Sequence, residues 1–300
     1  MSDDVDRLLP KQLAFPAELV EECRRTKDFR PILFEWYKYV GSLCNMVACL
    51  DLGSPAFRPL PSIHYAVLIG LLNRCSRLMV ANVRLSCTGR YGETTRLIDR
   101  SIAETAVKIQ WLCQKDGTER FARYIADALK NDLLMKDHIE ENIKNRGGNA
   151  LVIENRMLDS IHSCIERGGM AESEVRAANR LPDFASICRD LDFEDRFYLV
   201  VQRMGSHAVH GTWSDLLFNY LRYEEGQGFR PRDHDVETQD VQYIVVCRLV
   251  LAAIVSFIDY ASRDADTAKG FRLVAEGIEA ELVNIQDQAW GADFGKGEAT

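Results

Sequence analysis

Two histidines and an arginine fall on one face of a predicted helix in the second half of the sequence. The segment is RFYLVVQRMGSHAVHG, residues 196–211. At about 100° per residue, Ser206, His207 and His210 lie within about 60° of Arg203, and most of the apolar side chains lie on the opposite side. Arginine holds phosphate through two parallel hydrogen bonds, and histidine exchanges protons near neutral pH. Together they are sufficient for metal-independent attack of a ribose 2′-hydroxyl on its own phosphate.

This polar face also has explanations that involve no ribonuclease. Any surface helix has a solvated polar face, and a histidine near a helix end can cap free carbonyl groups. His210 lies in the last turn, where the helix dipole stabilises an imidazolium ion by up to about 1 kcal/mol. A third possibility is a zinc hydrolase that uses His207 and His210, but no thiolate or carboxylate stands at matching spacing. We therefore expect neither a bound metal nor a cofactor.

A second set of polar residues lies on an earlier predicted helix. Arg96, Arg100, Glu104 and Lys108 follow one another at four-residue intervals and form a single stripe. On a surface helix this is an ordinary charge ladder, in which a Glu104–Lys108 pair contributes about 0.2–0.5 kcal/mol. Apolar residues around the stripe predict that neighbouring parts of the protein cover a wide face of this helix. Partly buried charges need partners, so this stripe is the second candidate site.

The elements that must position these residues are nearly all predicted to be helical. Prolines are few, strand-like alternation is scarce, and apolar residues recur with a period of 3.6. The segment 51–62 contains three prolines and predicts a loop, and 226–235 predicts a polar loop. Helical segments are predicted at 16–50, 63–86, 93–115, 117–145, 150–190 (several short helices), 193–210, 212–225, 237–262 and 266–290.

Composition indicates a folded protein and excludes several classes. The chain has 300 residues and a net charge of −8, so no overall basic field attracts nucleic acid or anionic lipid. Nine cysteines stand without a CxxC pair, and the N-terminus lacks an apolar signal core. The apolar run 243–258 is short for a membrane span and contains Arg248, so we interpret it as a core helix. We expect a cytoplasmic protein that does not bind membranes.

The two polar sets together resemble the HEPN superfamily (higher eukaryotes and prokaryotes nucleotide-binding), a group of small helical bundles. Arg203 and His210 form an R-x6-H motif, and Glu104 and Lys108 form E-x3-K. More narrowly, RLIDRSIAETAVKIQWL and QRMGSHAVHG resemble a bacterial helical family known only as a domain of unknown function. Its members share an R-S-x-x-E helix and an S-x-x-V-H-G helix end. The matching residues here are Arg100, Ser101, Glu104, Ser206, Val209, His210 and Gly211.

The resemblance implies a fold and a function. The fold would be all-α, with N-terminal helices and a loop at 1–61, a HEPN-like helical bundle at 62–262 and a C-terminal helix and tail at 263–300. HEPN proteins commonly act as metal-independent ribonucleases of toxin or phage-defence systems. Arg203 would stabilise the phosphate, His210 would be the general acid and base, and Glu104 would complete the catalytic set. The substrate-binding residues would be Arg100, Lys108, Ser206 and His207.

The resemblance also implies partners. RNA would be the substrate, the protein would be a homodimer, and a regulatory protein would hold it in check. His207, in an R-x3-H arrangement, competes with His210 for the catalytic role. The alternative function is a non-catalytic helical scaffold or sensor that binds a protein or nucleotide through the same polar face.

Overall fold

The computed structural model of the chain describes residues 13–114, 118–194, 197–198, 201 and 209–291. By spatial contacts the described residues form two compact units. The larger unit comprises the residues up to Gln114 together with those from Ile187 onward, and the smaller unit lies between them in sequence. The domain boundaries at 61/62 and 262/263 remain predictions.

The described residues are mostly helical, which confirms the all-α prediction. The observed α3, α4 and α5 match the predicted helices at 63–86, 93–115 and 117–145 within two residues at each end. In chain order the helices are α1 Ala17–Thr26, α2 Arg30–Ala48, α3 Ser62–Ser86, α4 Gly92–Cys113, α5 Thr118–Asn145, α6 Val152–Gly168, α7 Glu172–Ala177, α8 Phe184–Asp190, α9 Trp213–Asp215, the π-helical turn Leu216–Tyr220, α10 Asp240–Ala261 and α11 Ala265–Trp290.

Four long helices form the core of the larger unit. Helix α2 packs against α3, α3 against α4, α4 against α10, and α10 back against α2, while α11 lies along α10. Helix α10 is apolar around most of its circumference because it is surrounded by neighbours. Its fully buried side chains include Val246, Val250 and Phe257. The second candidate stripe is therefore carried by a helix that is itself part of the bundle.

Two of the described helices are long and apolar enough to span a membrane, namely α3 and α10. The most apolar 18-residue windows of these helices are 39% and 67% buried inside the protein, respectively. Helix α10 corresponds to the apolar run that we interpreted as a core helix, and its packing against α2, α4 and α11 accounts for its composition.

The smaller unit has its own apolar core. Helix α5 packs against α6 and against the short α7. The buried residues of this core are Leu129, Leu133, Ile139, Ile161, Ile165 and Val175. Their spacing along α5 and α6 follows the helical period, as expected for helices that bury one face.

A β-hairpin occupies residues for which the sequence predicted an amphipathic helix and a polar loop. Strand β1, Leu221–Glu224, pairs antiparallel with β2, Gly228–Pro231. The turn between the strands contains Gly226, and β2 begins at Gly228; the φ angles of these two glycines are 77° and 78°. Glycine adopts positive φ without the steric cost that side chains impose, so these two residues favour a tight reversal over a continued helix.

Candidate functional site

The structure describes only part of the first candidate site. Arg203, Ser206 and His207 lie outside the described residues, so their prediction stays untested. His210 is described, is exposed and has helical geometry. The next residue, Gly211, has a φ of 54°, which is the left-handed conformation common just beyond a helix end. Of the predicted apolar side of this segment, Val201 is buried and Val209 is exposed.

The stripe on α4 is half-buried, and two of its members are paired. The Nε of Arg100 donates to Oε1 of Glu104 at 2.8 Å. Their side chains are 24% and 31% exposed, respectively. Lys108, one turn further along, is also half-buried. Partial burial strengthens a charge interaction relative to one in water, so this stripe differs from a fully solvated charge ladder.

The guanidinium of Arg100 has hydrogen-bonding capacity to spare. Its Nη1 is buried and has no hydrogen-bond partner among the described residues. A buried donor without an acceptor costs about 1–3 kcal/mol. The position therefore favours an additional acceptor, such as a carboxylate or a phosphate oxygen, next to the Arg100–Glu104 pair.

The segment that follows His210 reaches the first turns of α4. Nη1 of Arg96 lies 3.5 Å from Oδ1 of Asn219. In turn, Nδ2 of Asn219 donates to Oδ1 of Asp215 at 2.7 Å. Both residues are buried; Asp215 directly precedes the π-helical turn, and Asn219 lies within it. Such turns are rare and often lie at functional sites, and no local sequence pattern indicated this one.

The N-terminus of α4 is held by the segment before α10. The backbone N–H of Gly92 donates to the carbonyl of Val236 at 2.8 Å, and that of Val236 donates to Oε2 of Glu93 at 3.0 Å. A Cβ atom on Gly92 would lie 2.3 Å from the carbonyl oxygen of Glu237. The two backbones therefore approach so closely that only glycine fits without a shift. This contact fixes the start of the helix that carries the stripe.

A buried carboxylate on the inner face of α4 was not among the predicted site residues. Asp99 is 2% exposed and accepts hydrogen bonds from three neutral side chains on three other helices. The donors are Oη of Tyr37 at 3.1 Å, Nδ2 of Asn82 at 2.5 Å and Nε2 of Gln242 at 3.0 Å. Burial raises the pKa of Asp99 to about 7, although these hydrogen bonds and the charge of Arg96 oppose the shift.

The sequence did contain a signal for this polar core. Thr95, Asp99, Ile102 and Ala106 follow at spacings of four, three and four residues, which places them on one face of a helix. All four are buried. An acidic residue in an apolar stripe indicates either a buried network or a site, and here Asp99 connects α4 to α2, α3 and α10.

Other predicted possibilities are weaker in the structure. Asp233 and His234 form an exposed pair, with Oδ1 and Nδ1 separated by 2.8 Å. Within the described part of the chain, no three histidine, cysteine or acidic side chains cluster as metal ligands. His207, the second residue of the possible zinc pair, lies outside that part.

The fold and the site define a helical-bundle protein with a half-buried polar stripe on one bundle helix. The chain belongs to the Family of unknown function (DUF5677), which matches residues 65–229. The matched range includes Arg100, Glu104, Arg203 and His210. It confirms the resemblance to a family known only as a domain of unknown function. Neither the curated proteins nor the solved structures contain a match to this chain.

Proposed function

We propose that the protein is a cytoplasmic, metal-independent endoribonuclease of the HEPN type, with a catalytic set formed by Arg203, His210 and Glu104. The observation that carries the proposal is the half-buried stripe on α4, where Arg100 holds Glu104 and keeps a further buried N–H free of partners among the described residues. This arrangement can receive an anionic group, as a phosphodiester requires.

The position of the segment that follows the first candidate site supports the same proposal. The Arg96–Asn219 contact brings the residues just after the R-x6-H motif against the stripe. The motif and the stripe are separated by about a hundred residues in sequence. The Arg96–Asn219 contact nevertheless joins α4, which carries the stripe, to the segment that follows the motif. A common site for both is therefore compatible with the topology of the larger unit.

The proposed reaction is an internal transesterification. The 2′-oxygen of a ribose attacks the adjacent phosphorus, and the bond from phosphorus to the 5′-oxygen of the next nucleotide breaks. The imidazole of His210 takes the proton from the 2′-hydroxyl or, when protonated, returns one to the leaving 5′-oxygen. Arg203 balances the charge that builds up on the phosphate oxygens, and Arg100 and Lys108 orient the phosphate. The products carry a 2′,3′-cyclic phosphate and a 5′-hydroxyl.

The test is cleavage of a fluorescent RNA oligonucleotide by purified protein in the presence of EDTA. We expect Arg203→Ala and His210→Ala each to lower the cleavage rate by about 100-fold or more. His234→Ala, which removes an exposed histidine from a loop, is the matched control and should cleave like the unmodified protein. Cleavage that EDTA abolishes, or that survives both active-site changes, would contradict the proposal.

The alternative function is a non-catalytic binding module, and exposed aromatic residues after His210 favour it. Trp213, Phe218 and Tyr223 are each more than half exposed. Such side chains commonly mark binding surfaces. This alternative predicts that the alanine variants lose binding to a partner while no turnover is ever observed.

A further inference from the structure

A cavity lies in the larger unit where the ends of three helices meet, and we call it the helix-end cavity. It is lined by the residues that lead into α2, by the start of α10 with the residues just before it, and by Trp290, which ends α11. Its volume is about 490 Å³, which lies within the range of about 300–1,000 Å³ that is typical of small-molecule sites. Of the described residues that line it, none is among those proposed for RNA cleavage. The proposed nuclease therefore gives this cavity no role.

One carboxylate of the helix-end cavity has no hydrogen-bonding partner among the described residues. Arg30 is shared by the two other carboxylates, since its Nε donates to Oδ1 of Asp28 at 2.8 Å and its Nη1 donates to Oε2 of Glu237. Asp240 is half-buried, and in the described part of the chain no residue donates a hydrogen bond to it. The cavity therefore presents a carboxylate that can accept the N–H groups of a ligand.

The charges around Asp240 favour a positively charged ligand. Burial and the negative charge of Asp28 raise the pKa of Asp240 to about 6, against the opposing charge of Arg30. A cation beside Asp240 would offset both the burial of its charge and the repulsion from Asp28. Lys27 donates to the carbonyl of Gln288 at 3.3 Å. Of the described residues that line the cavity, three are carboxylates and two are cationic, so negative charge predominates.

The apolar wall of the cavity fits the same kind of ligand. Trp290 is half-buried, and Val241 lines the cavity with it. Indole attracts cations to its ring face more strongly than the other aromatic side chains do. Trp290 also ends α11, and the carbonyl groups at the C-terminus of a helix carry partial negative charge. An aromatic ring and a carboxylate in one cavity are suited to an organic cation.

We propose that the helix-end cavity binds a small organic cation that carries N–H groups, with the charged nitrogen at Asp240 and the apolar part of the molecule against Trp290 and Val241. A metal ion fits less well, because in the described part of the chain no three histidine, cysteine or acidic side chains cluster as metal ligands. An anion would meet a lining in which negative charge predominates. The inference is independent of the proposed nuclease, so either can fail without the other.

The experiment follows the indole N–H signal of Trp290 by two-dimensional proton–nitrogen NMR of the full-length protein. Of the four tryptophan signals, it is the one that Trp290→Leu removes. Three probes of similar size are titrated at pH 7.5, namely the cation of 2-phenylethylamine, the neutral 2-phenylethanol and the anion phenylacetate. We expect the Trp290 signal to shift, and the cation to bind at least about tenfold more tightly than the alcohol. Phenylacetate should bind most weakly.

Two substitutions separate the contribution of the charge from that of the ring. Asp240→Asn keeps the side-chain size and should weaken binding of the cation by about 5- to 50-fold, while binding of 2-phenylethanol stays unchanged. Trp290→Leu keeps an apolar side chain and should weaken binding of the cation by about 2- to 30-fold. The backbone amide signal of Val241 reports binding in that variant. Asp266→Asn removes an exposed carboxylate from α11 and is the matched control, which should bind like the unmodified protein.

Competition with protons gives a second readout. With a pKa of about 6, only about a tenth of Asp240 is ionised at pH 5, so the cation should bind about tenfold more weakly there than at pH 7.5. A hydrogen bond from Arg30 lowers the pKa of Asp28, and burial raises the pKa of the Cys23 thiol, so neither titrates in this range. Asp240→Asn should remove the pH dependence. The ionisable side chains near Asp240 are Cys23, Lys27, Asp28, Arg30 and Glu237.

Any of three results would overturn the inference. These are equal affinity for the cation and the alcohol, unchanged affinity of Asp240→Asn for the cation, and tighter binding of phenylacetate than of the cation, which would assign the cavity to anions. The proton–nitrogen spectrum of each variant shows whether it is folded. If a variant does not fold, the comparison of the three probes on the unmodified protein still decides.

Discussion

Replacement of Asp99 by asparagine tests the buried polar core of the bundle. In the native state this carboxyl group is surrounded by apolar helices and three neutral hydrogen-bond donors, and burial raises its pKa from 3.8 to about 7. In the unfolded chain it is solvated and has its ordinary pKa. Between about pH 4 and pH 7 the native state therefore binds more protons than the unfolded state, and stability falls as the pH rises.

The magnitude follows from the difference between the two pKa values. A tenfold change in a proton equilibrium corresponds to about 1.4 kcal/mol, so a pKa of about 7 against 3.8 costs the native state about 4 kcal/mol once Asp99 is fully ionised. The penalty is absent below about pH 4 and complete above about pH 7. Asp99→Asn has no proton to lose and escapes this penalty. The substitution also changes the hydrogen bonds at position 99, which alters the free energy of unfolding at every pH. The quantity to compare is therefore the pH dependence of that free energy.

The assay is urea unfolding between pH 4.5 and 8, monitored by tryptophan fluorescence. The four tryptophans, Trp36, Trp111, Trp213 and Trp290, all belong to the larger unit, as Asp99 does. Their signal therefore reports on the unit that contains the substitution. We expect the free energy of unfolding of Asp99→Asn, minus that of the unmodified protein, to increase by about 3–4 kcal/mol across this range.

Two internal controls accompany the comparison. Asp240, whose pKa burial raises to about 6, titrates in the same range in both proteins and cancels in the difference. Asp266→Asn makes the same change of net charge at an exposed position of the larger unit and should give a much smaller pH-dependent difference. The account would be refuted if the difference in free energy of unfolding between Asp99→Asn and the unmodified protein stayed constant or decreased as the pH rises. Asp99 would then not be a buried carboxylate surrounded by hydrogen-bond donors.

Three further substitutions test other parts of the structure. Tyr37→Phe removes one donor to Asp99, so the pKa of that carboxyl should rise further and the loss of stability should extend to higher pH in the same unfolding assay. Gly92→Ala places a methyl group against the carbonyl of Glu237 and should lower the free energy of unfolding by about 1–3 kcal/mol, and an unchanged urea midpoint would contradict the close backbone contact. Glu104→Gln keeps the side-chain shape but removes the charge that faces Arg100. We expect it to lower the free energy of unfolding by less than about 1 kcal/mol, to slow RNA cleavage about tenfold and to shift the pH profile of cleavage. An unchanged pH profile of cleavage would exclude a positioning role for Glu104.

The long helices were predictable because their patterns are locally complete. Helices α3 and α4 have apolar residues at helical spacing. Helix α3 ends at Ser86, and α4 extends from Gly92 to Cys113, so the observed bounds agree with the predicted ones. The half-buried state of Arg100 was also foreseeable, since the apolar cover on both sides of the stripe limits how far it can reach into solvent. These features depend on residues close together in sequence.

The hairpin and the Asp99 network depend on contacts that no local pattern encodes. Residues 212–225 have an amphipathic pattern, and only the pairing with Gly228–Pro231 makes β1 a strand. The donors to Asp99 come from Tyr37, Asn82 and Gln242, which are up to 143 residues away in sequence. These donors converge on Asp99 because α2, α3, α4 and α10 pack together, and no local sequence pattern specifies that packing.

The chemical nature of the ends that the purified protein leaves on a single-stranded RNA tests the central claim most directly. The measurement is mass spectrometry of both fragments after incubation in EDTA, with His210→Ala as the comparison. The proposed mechanism predicts a 2′,3′-cyclic phosphate on one fragment and a 5′-hydroxyl on the other, and intact RNA with the variant. Fragments with a 3′-hydroxyl and a 5′-phosphate, or identical fragmentation by His210→Ala, would contradict it.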